Sequence, residues 1–228
     1  MSALTSQRWA ARLLAIDAST YAGTVAVLRN GAIVAESTVA MRGEREERLM
    51  PAVVEALGVA GLAPDALTGV ICGAGPGSFT SLRIAASIAK GLAFAAGAPL
   101  LAVPSLALLA AGRRSTTGAR CLVSLDALRG EAYAALATVA PDGEITAYEP
   151  LGVVAVDALP ALARAREATH VVGEPHVRGV LALGALLAAA GPVSLDAWEP
   201  DYGRKAEAQV KWEAAHGREL PAHASTPA

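Results

Sequence analysis

The sequence predicts an α/β protein made of two duplicated halves, each a mixed sheet with flanking helices. Three observations carry this. Apolar runs of strand length alternate with longer runs at helical spacing. The order strand, hairpin, helix, strand, helix occurs twice along the 228 residues. The opening strand of each half, RLLAIDAS at 12–19 and RCLVSLDA at 120–127, carries an acid near its end, Asp17 or Asp126. The repeat is one of pattern, not of identity, and gives two units of about 100 residues each.

Residues 1–11 read as a flexible leader, and 12–111 as the first domain. TVAVLRNGAIVAEST (24–38) holds two strand-like runs around Asn30-Gly31. That pair signals a type I′ hairpin, whose central residues both need positive φ. GEREERLMPAVVEALGVAG (43–61) switches to helical spacing. Leu49, Met50, Val53, Val54 and Leu57 form one stripe, opposite Glu47, Arg48 and Glu55. Pro51 must sit in an early turn of that helix or kink it, because it has no N–H to donate. TGVICG (68–73) is a short buried strand, PLLAV (99–103) another, and SLALLAAG (105–112) a short helix.

GRRSTTG (112–118) is polar and turn-rich, the expected boundary before a second domain at 112–218. There EAYAALATVAPDGEITAYE (131–149) is a second pair of strands around Pro141-Asp142-Gly143. A helix at 156–168, a strand at 169–174 and an alanine-leucine helix at 177–191 follow. A last amphipathic helix carries Val210 and Trp212, and 219–228 reads as a disordered tail.

Composition bounds the function. Hydrophobic residues make up 54% and charged ones 18%, which argues against disorder for most of the chain. The net charge of −2 argues against unaided binding of nucleic acid. Cys72 and Cys121 lie in apolar strand context and read as reduced core cysteines; by themselves they make no zinc site. His170, His176, His216 and His223 form no HExxH motif, and PGSFT is not GxSxG. The longest uncharged apolar stretch, 179–195, contains Pro192 and three glycines. It falls short of the ~20 apolar residues of a spanning helix, so a cytoplasmic chain with no membrane contact is expected.

The centre of the sequence is 72–105, a strand end, a glycine-proline loop, a long alanine-rich helix and a second strand. It offers two functions. Behind Gly75, Gly77 and Ser78 the helix N-terminus presents free N–H groups to an anion, although the loop is neither GxxxxGK[ST] nor GxGxxG. A tight turn that starts a closely packed helix is the favoured reading. Along the helix, Ser81, Ala85, Ala89, Ala93 and Gly97 recur every four residues. Such a ridge of small side chains lets another helix approach.

LLAIDAST at 13–20, GPGSFTSLRIAASIAKGLA at 75–93, DALRGEAYAA at 126–135 and YGRKAEAQVKW at 202–212 resemble the TsaB (YeaZ) family. The resemblance covers roughly residues 12–215 and implies an actin-like (ribonuclease H-like) fold. It implies a non-catalytic dimerisation or scaffold subunit in the transfer of threonylcarbamoyl to N6 of adenosine 37 in tRNA. The implied partners are the paralogue TsaD, which carries the metal and does the chemistry, the ATPase TsaE, and tRNA through the complex. A homodimer through the same helices is a further implication. No metal or cofactor is expected in this chain, with ATP only at the level of the complex. The helices near 44–60 and 79–97 would make the contact, through Leu49, Val53, Ser81, Arg83, Ala85, Ala89 and Ala93.

By the same resemblance, Asp17, Ser19 and Thr20 sit where actin-fold kinases hold Mg²⁺-phosphate. With Gly75, Gly77, Ser78 and Asp126 they form an inherited, idle nucleotide site. The chain departs from the family twice. Arg45-Glu46-Glu47-Arg48-Leu49-Met50-Pro51 lacks the usual histidine, and Leu128 stands at an arginine position. The alternative from another class is a stand-alone actin-fold ATPase or small-molecule kinase.

Overall fold

Asn30 and Gly31 take φ of 52° and 76°, the left-handed pair a tight hairpin demands, and join β2 (Ala22–Arg29) to β3 (Ala32–Ala40). β1 (Arg12–Asp17) pairs antiparallel with β2 and parallel with β4 (Gly69–Gly73), which pairs parallel with β5 (Leu100–Val103). The computed structural model describes residues 12–43, 47–111, 118–204, 212 and 215–217. The leader at 1–11, Arg45-Glu46, the boundary loop at 112–117, Val210 and the tail at 219–228 lie outside the described residues.

The second half repeats the plan. β6 (Ala119–Asp126), β7 (Glu131–Val139) and β8 (Ile145–Ala155) run antiparallel in turn, and β9 (Thr169–Val172) lies parallel to β6. The order β8-β7-β6-β9 thus repeats β3-β2-β1-β4. The duplicated α/β fold read from the pattern is present, each sheet mixed.

Helices cover the sheets. α1 (Leu49–Val59) packs over β2 and β3, with Pro51 in its first turn, where a missing N–H is tolerated. α2 (Phe79–Ala96) packs over β4 and β1 and ends on Gly97 at φ 59°. Between the sheets sit α3 (Ser105–Ala111) and a 3-10 segment, Val177–Ala182. The core there is continuous, joining Leu13 and Leu28 of the first sheet to Val123 and Ala135 of the second. Cys72 and Cys121 are both buried, and neither forms a disulfide.

Three elements differ from expectation. The single helix read over 177–191 is the 3-10 segment followed by α5 (Gly184–Ala190). Gly179 and Gly184 lower the helix propensity of that run. The helix read over 156–168 is a 3-10 turn, Val156–Ala158, leading into α4 (Leu159–Ala165). The predicted second domain also does not keep its own end. β10 (Pro192–Val193) pairs with β5 in the first sheet. Val193, Leu195 and Trp198 then pack against the first half's core, because that is where apolar surface waits to be covered.

Candidate functional site

The carboxyl ends of β1, β6 and β9 and the loop before α2 meet at a cleft of about 390 Å³ between the halves. Ser19, Gly77, Ser78 and Asp126 all line it, so the duplication brings these four predicted residues together. Thr20 lines it too, and its hydroxyl donates to Glu174 across the gap.

Asp17 is close by but sealed, 1% exposed. Its Oδ1 accepts from the Ser19 N–H at 3.0 Å and from the Ser19 hydroxyl at 2.8 Å. Its Oδ2 accepts from the Ser105 hydroxyl, which in turn accepts from the Gly75 N–H at 3.1 Å. A Cβ on Gly73 would stand 1.8 Å from Asp17 Oδ2, so the strand beside the acid must be glycine. Burial pushes the Asp17 carboxyl above its ordinary range; the Ser105 and Ser19 bonds oppose this, and Glu174 adds to it. Both oxygens are thus engaged by the chain's own hydroxyl and amide groups. Asp126, the duplicate acid, is exposed and accepts from the Leu128 N–H at 2.7 Å.

The glycine-proline loop is engaged in the same way. The Ser78 N–H donates to Ser19 O at 2.7 Å, and a Cβ on Gly77 would meet that oxygen at 2.0 Å. Gly75 lies against Asp201, whose N–H donates to Ala74 O at 2.7 Å. Ser78 stands at the N-cap position of α2, but its hydroxyl bonds Ser81 and leaves the helix amides alone. The described residues lining the cleft include Asp126 and Glu174 and no lysine or arginine. The Gly75 and Ser78 amides are therefore occupied, and the charged residues of the lining are acidic.

One further pair touches the cleft. Ser124, on β6, lies 2.8 Å from His170 Nε2 on β9. Among the described residues no carboxylate bonds the other nitrogen of His170, so the orienting acid of a hydrolytic triad is missing. Ser105, Glu174 and this pair escaped the sequence reading. No spacing rule links residue 17 to residue 105, or residue 20 to residue 174.

The partner row requires a correction. Ser81, Ala85, Ala89 and Ala93 are buried, with Leu49 and Val53, and most of them belong to the first half's own core. Their small side chains let α2 lie close on its sheet, which is helix-on-sheet packing and not a docking ridge. Arg83 alone of that set faces solvent, its guanidinium 5.4 Å from the Phe79 ring. Phe79 also tilts against Tyr202 at 4.5 Å.

The outward faces are different residues. On α2 they are Phe79, Arg83, Ser87, Gly91 and Phe94, the last 79% exposed. On α1 they are Met50, Val54, Gly58 and Val59, with Val54 58% exposed. α1 and α2 touch, and both lie on the same side of the first sheet. The outer side of α2 is mixed, with Thr80, Arg83 and Ser87 beside the exposed rings of Phe79 and Phe94. Among the described helices only α2 has the length and mean hydropathy, 18 residues and 1.2, of a membrane-crossing segment.

Two repeats of a three-stranded antiparallel meander with a parallel fourth strand, closed over an interdomain cleft, define an actin-like α/β protein of duplicated halves. The chain belongs to the TsaB/YeaZ family. It superposes on YeaZ from Pseudomonas aeruginosa with a TM-score of 0.65 and 30% identity, covering 84% of this chain and 99% of that one. It is 39% identical over 126 residues to the tRNA threonylcarbamoyladenosine biosynthesis protein TsaB of Bacillus subtilis, 54% of each chain. The Escherichia coli protein of that name is 38% identical over 123 residues, 54% of this chain and 53% of its own. The chain thus spans about half the length of the curated relatives it matches. The profile described as "TsaD: tRNA N6-adenosine threonylcarbamoyltransferase" matches residues 38–148.

Proposed function

We propose that this chain is a non-catalytic partner subunit in the synthesis of threonylcarbamoyladenosine in tRNA. In this reading the outer faces of α1 and α2 dock the TsaD paralogue, and TsaE and tRNA join through that complex. The observation that carries it is the set of exposed apolar side chains on the outer sides of α1 and α2, beside Glu55 and Arg83, on a chain of this family. Met50, Val54, Val59 and Phe94 stay exposed although the core beneath them is complete. The cleft supports the same reading from the other side, since Asp17 beside it is sealed and the charged residues lining it, Asp126 and Glu174, are acidic. Docking shifts the paralogue toward its competent state only as far as that state binds this surface better.

The test is co-purification with the paralogue from the same organism. Gly91 has nothing within 4 Å of the position a Cβ would take, so Gly91→Arg fits the free chain. Gly91→Arg and Val54→Glu each place a charge on the docking face. Both variants are expected to keep the fold and to lose the complex by at least about tenfold in affinity. Retention of the complex by both would remove these faces from the interface. A second reading, self-association through the same faces, predicts a dimer by sedimentation that the same substitutions dissolve. Calorimetric titration with Mg²⁺-ATP addresses the kinase alternative: micromolar binding and turnover by this chain alone would replace the subunit reading.

A further inference from the structure

A groove of about 920 Å³ runs along β3 and shares no lining residue with the cleft or with the outer faces of α1 and α2. Four consecutive residues, Ile33 to Glu36, line it. Successive strand side chains point to opposite faces, so a groove touching all four meets the strand along its edge. β3 is the terminal strand of the first sheet. Alternate N–H and C=O groups on that edge are therefore without a strand partner.

Three features give the groove a chemistry. The register steps from Val27↔Ala35 to Leu28↔Ile33, which leaves Val34 as the extra residue of a bulge. Val34 and Leu181, both in the lining, are exposed apolar side chains. Glu36, Asp142 and Glu144 line the groove, and its one arginine, Arg178, is already paired with Glu36 at 2.8 Å. Asp142 and Glu144, at the turn of the second hairpin, have no ion pair among the described residues, although Asp142 Oδ1 accepts from the Glu144 N–H at 3.1 Å and Glu144 Oε1 accepts from the Ala185 N–H at 2.9 Å. Of the devices that keep an edge strand solitary, β3 has a bulge and one charge, Glu36, and neither lysine nor proline.

We propose that this groove docks an extended, basic segment of a partner protein. The segment adds to β3 as a strand, covers Val34 and Leu181 with aliphatic side chains, and sets lysines or arginines against Asp142 and Glu144. Four residues of β3 span about 13 Å, so the paired stretch is about four or five residues. The recognition is by backbone pairing with alternate side chains giving specificity.

The intact chain is titrated, by fluorescence anisotropy, with a labelled nine-residue peptide that alternates lysine and valine. Two controls are used: glutamate in place of lysine, and proline in place of valine. The second keeps the charge and removes the N–H groups a strand needs. Saturable binding of the lysine-valine peptide is expected, with both controls weaker by at least about tenfold. The double variant Asp142→Lys, Glu144→Lys, and separately Val34→Lys, should each cut the affinity by about the same factor. Val34 is exposed, so that variant keeps a readout if the hairpin double variant unfolds. Equal binding of the lysine-proline peptide, or unchanged affinity in the folded variants, overturns the proposal. None of these residues lies on the outer faces of α1 or α2, so loss of peptide binding with the paralogue complex intact, or the reverse, separates this proposal from the functional reading above.

Discussion

The two halves start from one plan and finish with different surfaces. In the first, the helices that follow the hairpin and the next strand run 11 and 18 residues; in the second, α4 and α5 run 7 each. α1 and α2 cover their sheet and keep exposed apolar side chains on the outer side. α4 exposes Arg164, and the residue after it, Arg166, pairs with Glu149. The acids diverge as well: Asp17 is sealed in a network of its own chain, whereas Asp126 is open to solvent. Duplication supplied two similar scaffolds, and only one copy has helices long enough to bury one face and offer the other.

The contrast between the inner and outer sides of α2 gives the largest expected effect. Ala89→Arg drives an unpaired guanidinium into a position that is 0% exposed. It should cost on the order of 5 kcal/mol and leave little folded protein. Gly91→Arg, two residues on, should change stability by less than about 1 kcal/mol, since arginine is the better helix former. Equal melting temperatures for the two variants would erase the distinction between the faces.

Asp17→Ala against Asp126→Ala tests the divergence of the acids. The first strips the partner from two serine hydroxyls and an amide inside the fold, and should cost about 3 kcal/mol. The second removes an exposed carboxylate and should stay within about 0.5 kcal/mol. Urea midpoints read both, and similar losses would mean that the halves still use their acids alike.

The smallest effect is in pH. The folded state holds the Asp17 proton more tightly than the unfolded chain, whose carboxyl titrates near 3.8. The stability this contributes is fully present below that value and is lost as pH rises through the raised folded pKa. Asp17→Asn keeps a neutral group of the same shape and should remove that part of the slope. A variant whose stability curve is parallel to the parent's across the acid range would assign the slope to other groups.

The strands were legible because period-2 runs, Asn30-Gly31 and the two acids are local signals. The helix at 49–59 was legible too, with Pro51 in its first turn rather than at a kink, but Met50 and Val54 of the expected stripe face solvent while Leu49, Val53 and Leu57 are buried. The run at 177–191 was not, since alanine and leucine fit either helix type and the choice fell to packing between the sheets. The cleft was half legible. Asp17 and Asp126 were found from the repeat, Ser19 from the family resemblance and Gly77 from the glycine-proline loop, while Ser105 and Glu174 reach the site only through the fold.

By itself the sequence determined the duplicated α/β plan, the hairpins and the importance of 72–105. These follow from backbone preferences and hydrophobic period, which act between near neighbours. Tertiary structure decided which side of α2 faces inward. Apolar residues lie on both sides of α2, Phe79 and Phe94 sharing the outer one with Thr80, Arg83 and Ser87, so the inward side was set by the sheet. The sheet took the side bearing Ser81, Ala85, Ala89 and Ala93, because small side chains allow the closest approach, and Phe94 was left in water.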